Sequence, residues 1–167
     1  MGSVVKLISE EFDLTTGMAG FITTLPLIAF AVVSPFVSNI SRKLGYGKTM
    51  LFGLILMMLG EIVRSYTGVS GLFIGTALLG IGIAIGNVLI PSIIKLKFGK
   101  NIGKMTSVYT SSMCIFAAVG ASVSMPLATG FNLGWKNALA VWFILTIFTL
   151  VIWTPQLKKG KTDEKKD

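Results

Sequence analysis

Glu61 and Arg64 are the only charged residues set inside a long apolar stretch, and they stand three positions apart. On a helix that spacing puts both on one face, where a carboxylate and a guanidinium can pair. The same two groups can also grip a polar solute or pass on a proton. In the middle of a bilayer each costs about 2.5–3.5 kcal/mol on insertion scales, so neither is expected to face lipid. Counted from Thr49 by the helical rise, Glu61 lies about 18 Å in. Arg64 stands nearer the far surface, where its long stem can snorkel. Two readings stay open: a structural pair between neighbouring helices, or a direct part in substrate or proton handling.

Other polar groups sit at similar depth. Asn87 precedes Pro91 by one turn, and a proline inside a helix removes a backbone hydrogen bond. Pro26 does the same in an earlier segment. Thr106 and Thr110 belong to a stripe of small residues continued by Met113, Ala117, Gly120 and Ser124. Gly20, Thr24, Ala31, Ser34 and Ser38 form another, and Gly71/Gly75 and Gly82/Gly86 are GxxxG pairs. Small stripes let helix backbones approach where lipid gives no hydrophobic drive; a stripe with hydroxyls can instead line a polar cavity. Gly80, Gly82 and Gly86 have neither the spacing nor the preceding strand of a dinucleotide fingerprint. With no histidine and one carboxylate in the apolar segments, no catalytic residues, metal ligands or cofactor are expected, and a membrane enzyme is the weakest reading.

The elements that position these residues follow from hydropathy. Of 167 residues, 53% are hydrophobic and 13% charged, against about 25% charged in a soluble domain. Crossing about 30 Å of hydrocarbon takes about 20 helical residues. Five segments qualify, with cores at about 18–38, 49–66, 71–94, 105–125 and 138–153. The expected fold is an all-α membrane protein with five transmembrane helices over 14–155. Residues 1–13 form a preceding segment with no signal-peptide charge order, and 156–167 a basic tail.

The net charge of +8 does not indicate nucleic acid, because the charges lie between apolar runs. Arg42, Lys43 and Lys48, then Lys95, Lys97, Lys100 and Lys104, then five tail lysines share one side; Lys6 and Lys136 fall on the other. That bias places the lysine-rich side and the C-terminus in the cytoplasm. Trp135, Trp142 and Trp153 bracket the last segment, where interfacial anchors belong. Cys114, alone in an apolar run, forms no internal disulfide.

The stretches AGFITTLPLIAFAVVSPFVSNISRKLGYGKTMLF, GTALLGIGIAIGNVLIPSIIK and GWKNALAVWFILT, covering most of 14–155, resemble the N-terminal half of a major facilitator superfamily transporter. The likeness is greatest to the cyanate and nitroimidazole permease-like branch. The family's cytoplasmic motif Gly-x-x-x-Asp-Arg-x-Gly-Arg-Lys aligns on Gly45, with Ser38 at its first Gly, Arg42 at its Asp and Lys43 at its Arg. The fourth-helix motif Arg-x-x-x-Gly-x-Gly-x-Ala matches at Gly80, Gly82 and Ala84, with Thr76 in place of its Arg. The fifth-helix Gly-Pro antiporter motif is absent from 105–125.

The resemblance implies a six-helix half-bundle of which this chain holds helices two to six. The first helix and the C-terminal half are then expected to be missing. It also implies a substrate cavity lined by Thr23, Thr24, Asn87, Thr106 and Thr110, and it moves Glu61 and Arg64 toward structure. The expected function is that of a partial secondary active transporter for a small polar or anionic solute, working by alternating access in a bacterial plasma membrane. The alternative is a half-transporter or non-transporting subunit that needs a partner chain. Expected partners are the lipid bilayer, a small solute and the missing C-terminal half or another chain.

Overall fold

The computed structural model describes residues 13, 15–129 and 142–155, and among them there is no strand. Five helices follow in chain order: α1 (Thr16–Leu44), α2 (Tyr46–Tyr66), α3 (Gly68–Lys97), α4 (Ile102–Thr129) and α5 (Trp142–Pro155). A 3-10 turn, Gly99–Asn101, joins α3 to α4. The first four are long and apolar enough to cross a membrane. Of the segment expected at 138–153, residues 138–141 lie outside the described residues, as do Trp135, residues 1–12 and the tail from 156.

Helix ends follow local chemistry. Thr15 caps α1, its Oγ1 accepting the Met18 N–H at 3.3 Å. The helix then runs unbroken through Pro26 and Pro35 to a last turn holding Arg42 and Lys43, where cations suit the negative end of the helix dipole. The expected basic loop is therefore a helix end, with Arg42 Nη2 donating to Asn39 Oδ1. The loop shrinks to Gly45 alone, at φ 81°, ψ 151°.

That backbone region is open almost only to glycine. Gly45→Ala is expected to cost about 1–3 kcal/mol and to unsettle the α1–α2 joint, read as a lowered unfolding midpoint in detergent. Gly68, at φ 68°, makes the matching turn between α2 and α3.

Helix α3 is the hub. It buries Leu72, Leu79, Ala84, Ile85, Leu89 and Ile94, with Val37 of α1 packed in one cluster with Ile85 and Leu89. Helices α2 and α3 run antiparallel along a seam of glycines. A Cβ at Gly60 would lie 2.7 Å from the Gly75 carbonyl oxygen; one at Gly75 would lie 2.5 Å from the Arg64 nitrogen and 2.6 Å from the Gly60 oxygen. One heptad along, Gly53 meets Ile85 at 2.9 Å and Gly82 meets the Gly53 oxygen at 2.7 Å and Met57 Cγ. Opposing glycines therefore recur every seven residues.

The glycines of α3 serve different neighbours. Gly80 turns to α1, where an added Cβ would come 2.7 Å from Pro26 Cα. Gly82 turns to α2. Gly86 has room, its nearest neighbour being Met50 Cε at 3.9 Å.

Candidate functional site

Side-chain hydrogen bonds join helices inside this bundle. The first links α3 to α4: the Tyr109 hydroxyl donates to Asn87 Oδ1 at 2.7 Å. Both residues are half-buried. Pro91, four residues on, supplies no N–H to the Asn87 carbonyl, so this position concentrates hydrogen-bonding capacity in a largely apolar helix. Thr106 and Thr110, exposed on α4, flank Tyr109 in the same two turns.

Thr23 and Thr24 stand apart from this group. Their hydroxyls donate to carbonyls of their own helix, Thr23 to Gly20 at 2.7 Å and Thr24 to Gly20 and Phe21 at 3.2 and 3.1 Å. Since Pro26 packs on Gly80 and α1 and α3 run the same way, they lie about 14 Å from Asn87 along the helix axes. The structure joins Asn87 to Tyr109, with Thr106 and Thr110 exposed near Tyr109 on α4. A lone tyrosine among hydroxyl residues carries no spacing signal, so sequence reasoning passed over it.

Tyr109→Phe is expected to lower stability by about 1 kcal/mol through loss of one hydrogen bond. If the pair serves a solute path, transport per folded molecule also changes in KM; a purely structural clamp leaves KM where it was.

The second contact links α2 to α5. Thr146 Oγ1 donates to Glu61 Oε1 at 3.1 Å. Glu61, Arg64 and Thr146 are all buried, at 8%, 7% and 8% exposure. Arg64 shares α2 with Glu61, and its backbone and Cβ press against Gly75 of α3. Glu61 Oε2, Arg64 Nε and Ser65 Oγ are buried without a hydrogen-bond partner. Glu61 and Ser65 also line a cleft of about 140 Å³ with Ile62, Tyr66 and Phe143.

The i, i+3 spacing of Glu61 and Arg64 was legible in the sequence. The partner of Glu61, Thr146, 85 positions away, was not. Two further ties fix α5: Trp153 Nε1 donates to the Gly47 carbonyl at 3.2 Å, and Trp142 sits over Gly120 of α4 at 3.8 Å from where a Cβ would be. No group of three or more histidine, cysteine or acidic residues that could hold a metal occurs among the described residues.

A bundle of long apolar helices, packed through glycine seams and joined by a few buried polar contacts, defines an integral membrane protein. The chain belongs to the Major Facilitator Superfamily, whose model it matches over residues 1–167. It is 47% identical over 162 residues to YycB, an uncharacterized transporter of Bacillus subtilis (strain 168), covering 97% of this chain and 40% of that protein. It is 39% identical over 153 residues to the 2-nitroimidazole transporter of Escherichia coli (strain K12), covering 92% of this chain and 39% of the relative. The cyanate transport protein CynX of the same organism is 21% identical over 154 residues, 92% of this chain and 40% of CynX. The chain thus spans about two fifths of the length of these curated relatives. No solved structure matches it.

Proposed function

We propose that this chain forms part of a secondary active transporter that moves a small polar or anionic solute across the membrane by alternating access. The observation that carries this reading is the Asn87–Tyr109 contact between α3 and α4, with Thr106 and Thr110 beside it on α4. Amide, phenol and hydroxyl groups offer donors and acceptors without fixed charge, which suits a small polar solute that must be released again. Relatives named for 2-nitroimidazole and for cyanate support that substrate class. The lysine-rich ends at Arg42–Lys48 and Lys95–Lys104 support a cytoplasmic placement for that face and for the C-terminus in a bacterial plasma membrane.

The test is uptake and efflux of labelled small anions and neutral polar heterocycles in cells with and without the protein. Expected are a protein-dependent flux for at least one solute and a raised KM in Asn87→Leu and Thr106→Val. Flux indistinguishable from empty cells for the whole panel overturns the reading.

A second reading, that these helices work with a partner chain, is supported by α4. Over its apolar span almost no residue is buried, and Val108, Ile115, Phe116 and Val119 stand exposed. Co-purification with a second set of helices supports it. A protein that transports alone, as a single chain of this length, excludes it.

A further inference from the structure

The two helix joints on the lysine-rich side lie at one level. Helices α1 and α3 run the same way, and Val37 of α1 packs in one cluster with Ile85 and Leu89 of α3. Leu44 lies one heptad beyond Val37 and Leu96 one heptad beyond Leu89, each about 10 Å farther by the helical rise. Tyr46 and Met50 of α2 pack against the same cluster, and Trp153 Nε1 ties the end of α5 to the Gly47 carbonyl. Tryptophan is enriched at membrane–water interfaces, so the α1–α2 joint stands at headgroup level.

Cations gather at this level without carboxylates. Arg42, Lys43 and Lys48 at the α1–α2 joint, and Lys95, Lys100 and Lys104 at the α3–α4 joint, are all exposed. Among the described residues the carboxylates are Asp13, just before α1, and Glu61, five residues from the far end of α2. Both belong toward the opposite face. The tail beyond residue 155 carries five lysines against three acids, so it brings no net negative charge. The counter-charge for this surface must come from another molecule.

Apolar side chains narrow the choice. Leu44, Leu96, Phe98 and Ile102 are exposed among the cations. Basic groups interleaved with exposed apolar ones suit the boundary between headgroups and acyl chains, where phosphates meet the charge and lipid covers the rest. A nucleic acid meets the charge but leaves those apolar side chains in water.

We infer that the two joints together bind anionic, phosphatidylglycerol-type phospholipids. The six cations hold the phosphates, and Leu44, Leu96, Phe98 and Ile102 lie against the acyl region. This selectivity needs a membrane-embedded chain and does not rest on the transport reading.

The experiment places the purified protein in nanodiscs of phosphatidylglycerol and phosphatidylcholine in equal parts, with matched acyl chains. Native mass spectrometry counts the lipids retained. Phosphatidylglycerol is expected to be retained at least tenfold over phosphatidylcholine, and less so as salt is raised, because exposed charges are screened. Lys95→Gln/Lys100→Gln/Lys104→Gln and Arg42→Gln/Lys43→Gln/Lys48→Gln are each expected to cut that preference at least fivefold, the scale of one cation beside an anionic surface. The corresponding Lys→Arg variants are expected to keep it. Thermal unfolding in pure phosphatidylcholine checks the fold, and both glutamine variants are expected to match wild type there. Should a triple variant not fold, the single exposed changes Lys100→Gln and Lys104→Gln give the same readout. Equal retention of the two lipids overturns the inference. A phosphatidylglycerol preference that survives both glutamine variants also overturns it, because the lipid then binds elsewhere. So does capture of an RNA oligonucleotide through the same lysines with no lipid preference.

Discussion

Replacing Gly75 by alanine is expected to split the bundle, while the same change at Gly86 leaves it intact. At Gly75 the new methyl group meets the Arg64 nitrogen at 2.5 Å and the Gly60 oxygen at 2.6 Å. These are backbone atoms, so no side chain can swing away, and relief requires α2 and α3 to move apart along the seam. Overpacking a tight site costs about 1–3 kcal/mol, and a backbone-to-backbone clash belongs at the upper end of that range. The seam is also the packing that a membrane bundle depends on, since lipid gives no hydrophobic force to close it again. At Gly86 the nearest atom is a flexible methionine methyl at 3.9 Å, and alanine removes some of glycine's conformational cost. Unfolding titrations in mixed micelles check this: a midpoint well below wild type for Gly75→Ala and one at or above it for Gly86→Ala. Equal midpoints would mean the glycine seam does not hold α2 to α3.

The second large effect concerns the buried charges. Glu61→Leu leaves Arg64, at 7% exposure, as a buried cation with no carboxylate on its own helix, and a buried charge left uncompensated costs about 3–5 kcal/mol. Removing both charges in Glu61→Leu/Arg64→Leu is expected to restore stability to within about 1 kcal/mol of wild type, because no unbalanced charge remains. The same double variant separates the two roles that the spacing leaves open. If it folds and transports as wild type, the pair is structural; if it folds and flux is lost, the pair handles substrate or protons. A double variant as unstable as the single one would contradict the pairing itself.

How much was legible depends on range. Helix identity came from local hydropathy, which needs only a run of about 20 residues, and the segments at 18–38, 49–66, 71–94 and 105–125 all fall within helices. The ends were harder. Apolar counting stops at the first charge, whereas α1 and α3 continue through Arg42, Lys43, Lys95 and Lys97, because cations are welcome at a helix C-terminus.

Gly71, Gly75 and Gly82 stood out by their four-residue spacing. Gly53 and Gly60 of α2 are seven apart and pair only with residues of another helix, so nothing on their own strand of sequence marked them. Thr146 and Tyr109 went unseen for the same reason: their partners are 85 and 22 positions away. Asn87 was found because a lone amide in an apolar run is conspicuous whatever it touches. Thr23 entered by family position alone and Thr24 also by its place in a small-residue stripe, and their hydroxyls bond within α1.

The central claim, that this protein takes part in moving a small polar or anionic solute, is tested most directly by reconstitution. The purified protein in proteoliposomes, loaded with unlabelled solute and challenged with trace label outside, is expected to show transient counterflow for a small anion or polar heterocycle. That overshoot is expected to fall in Asn87→Leu while the Gly86→Ala control keeps it. Proteoliposomes whose label uptake equals that of empty vesicles for every solute in the panel would contradict the account.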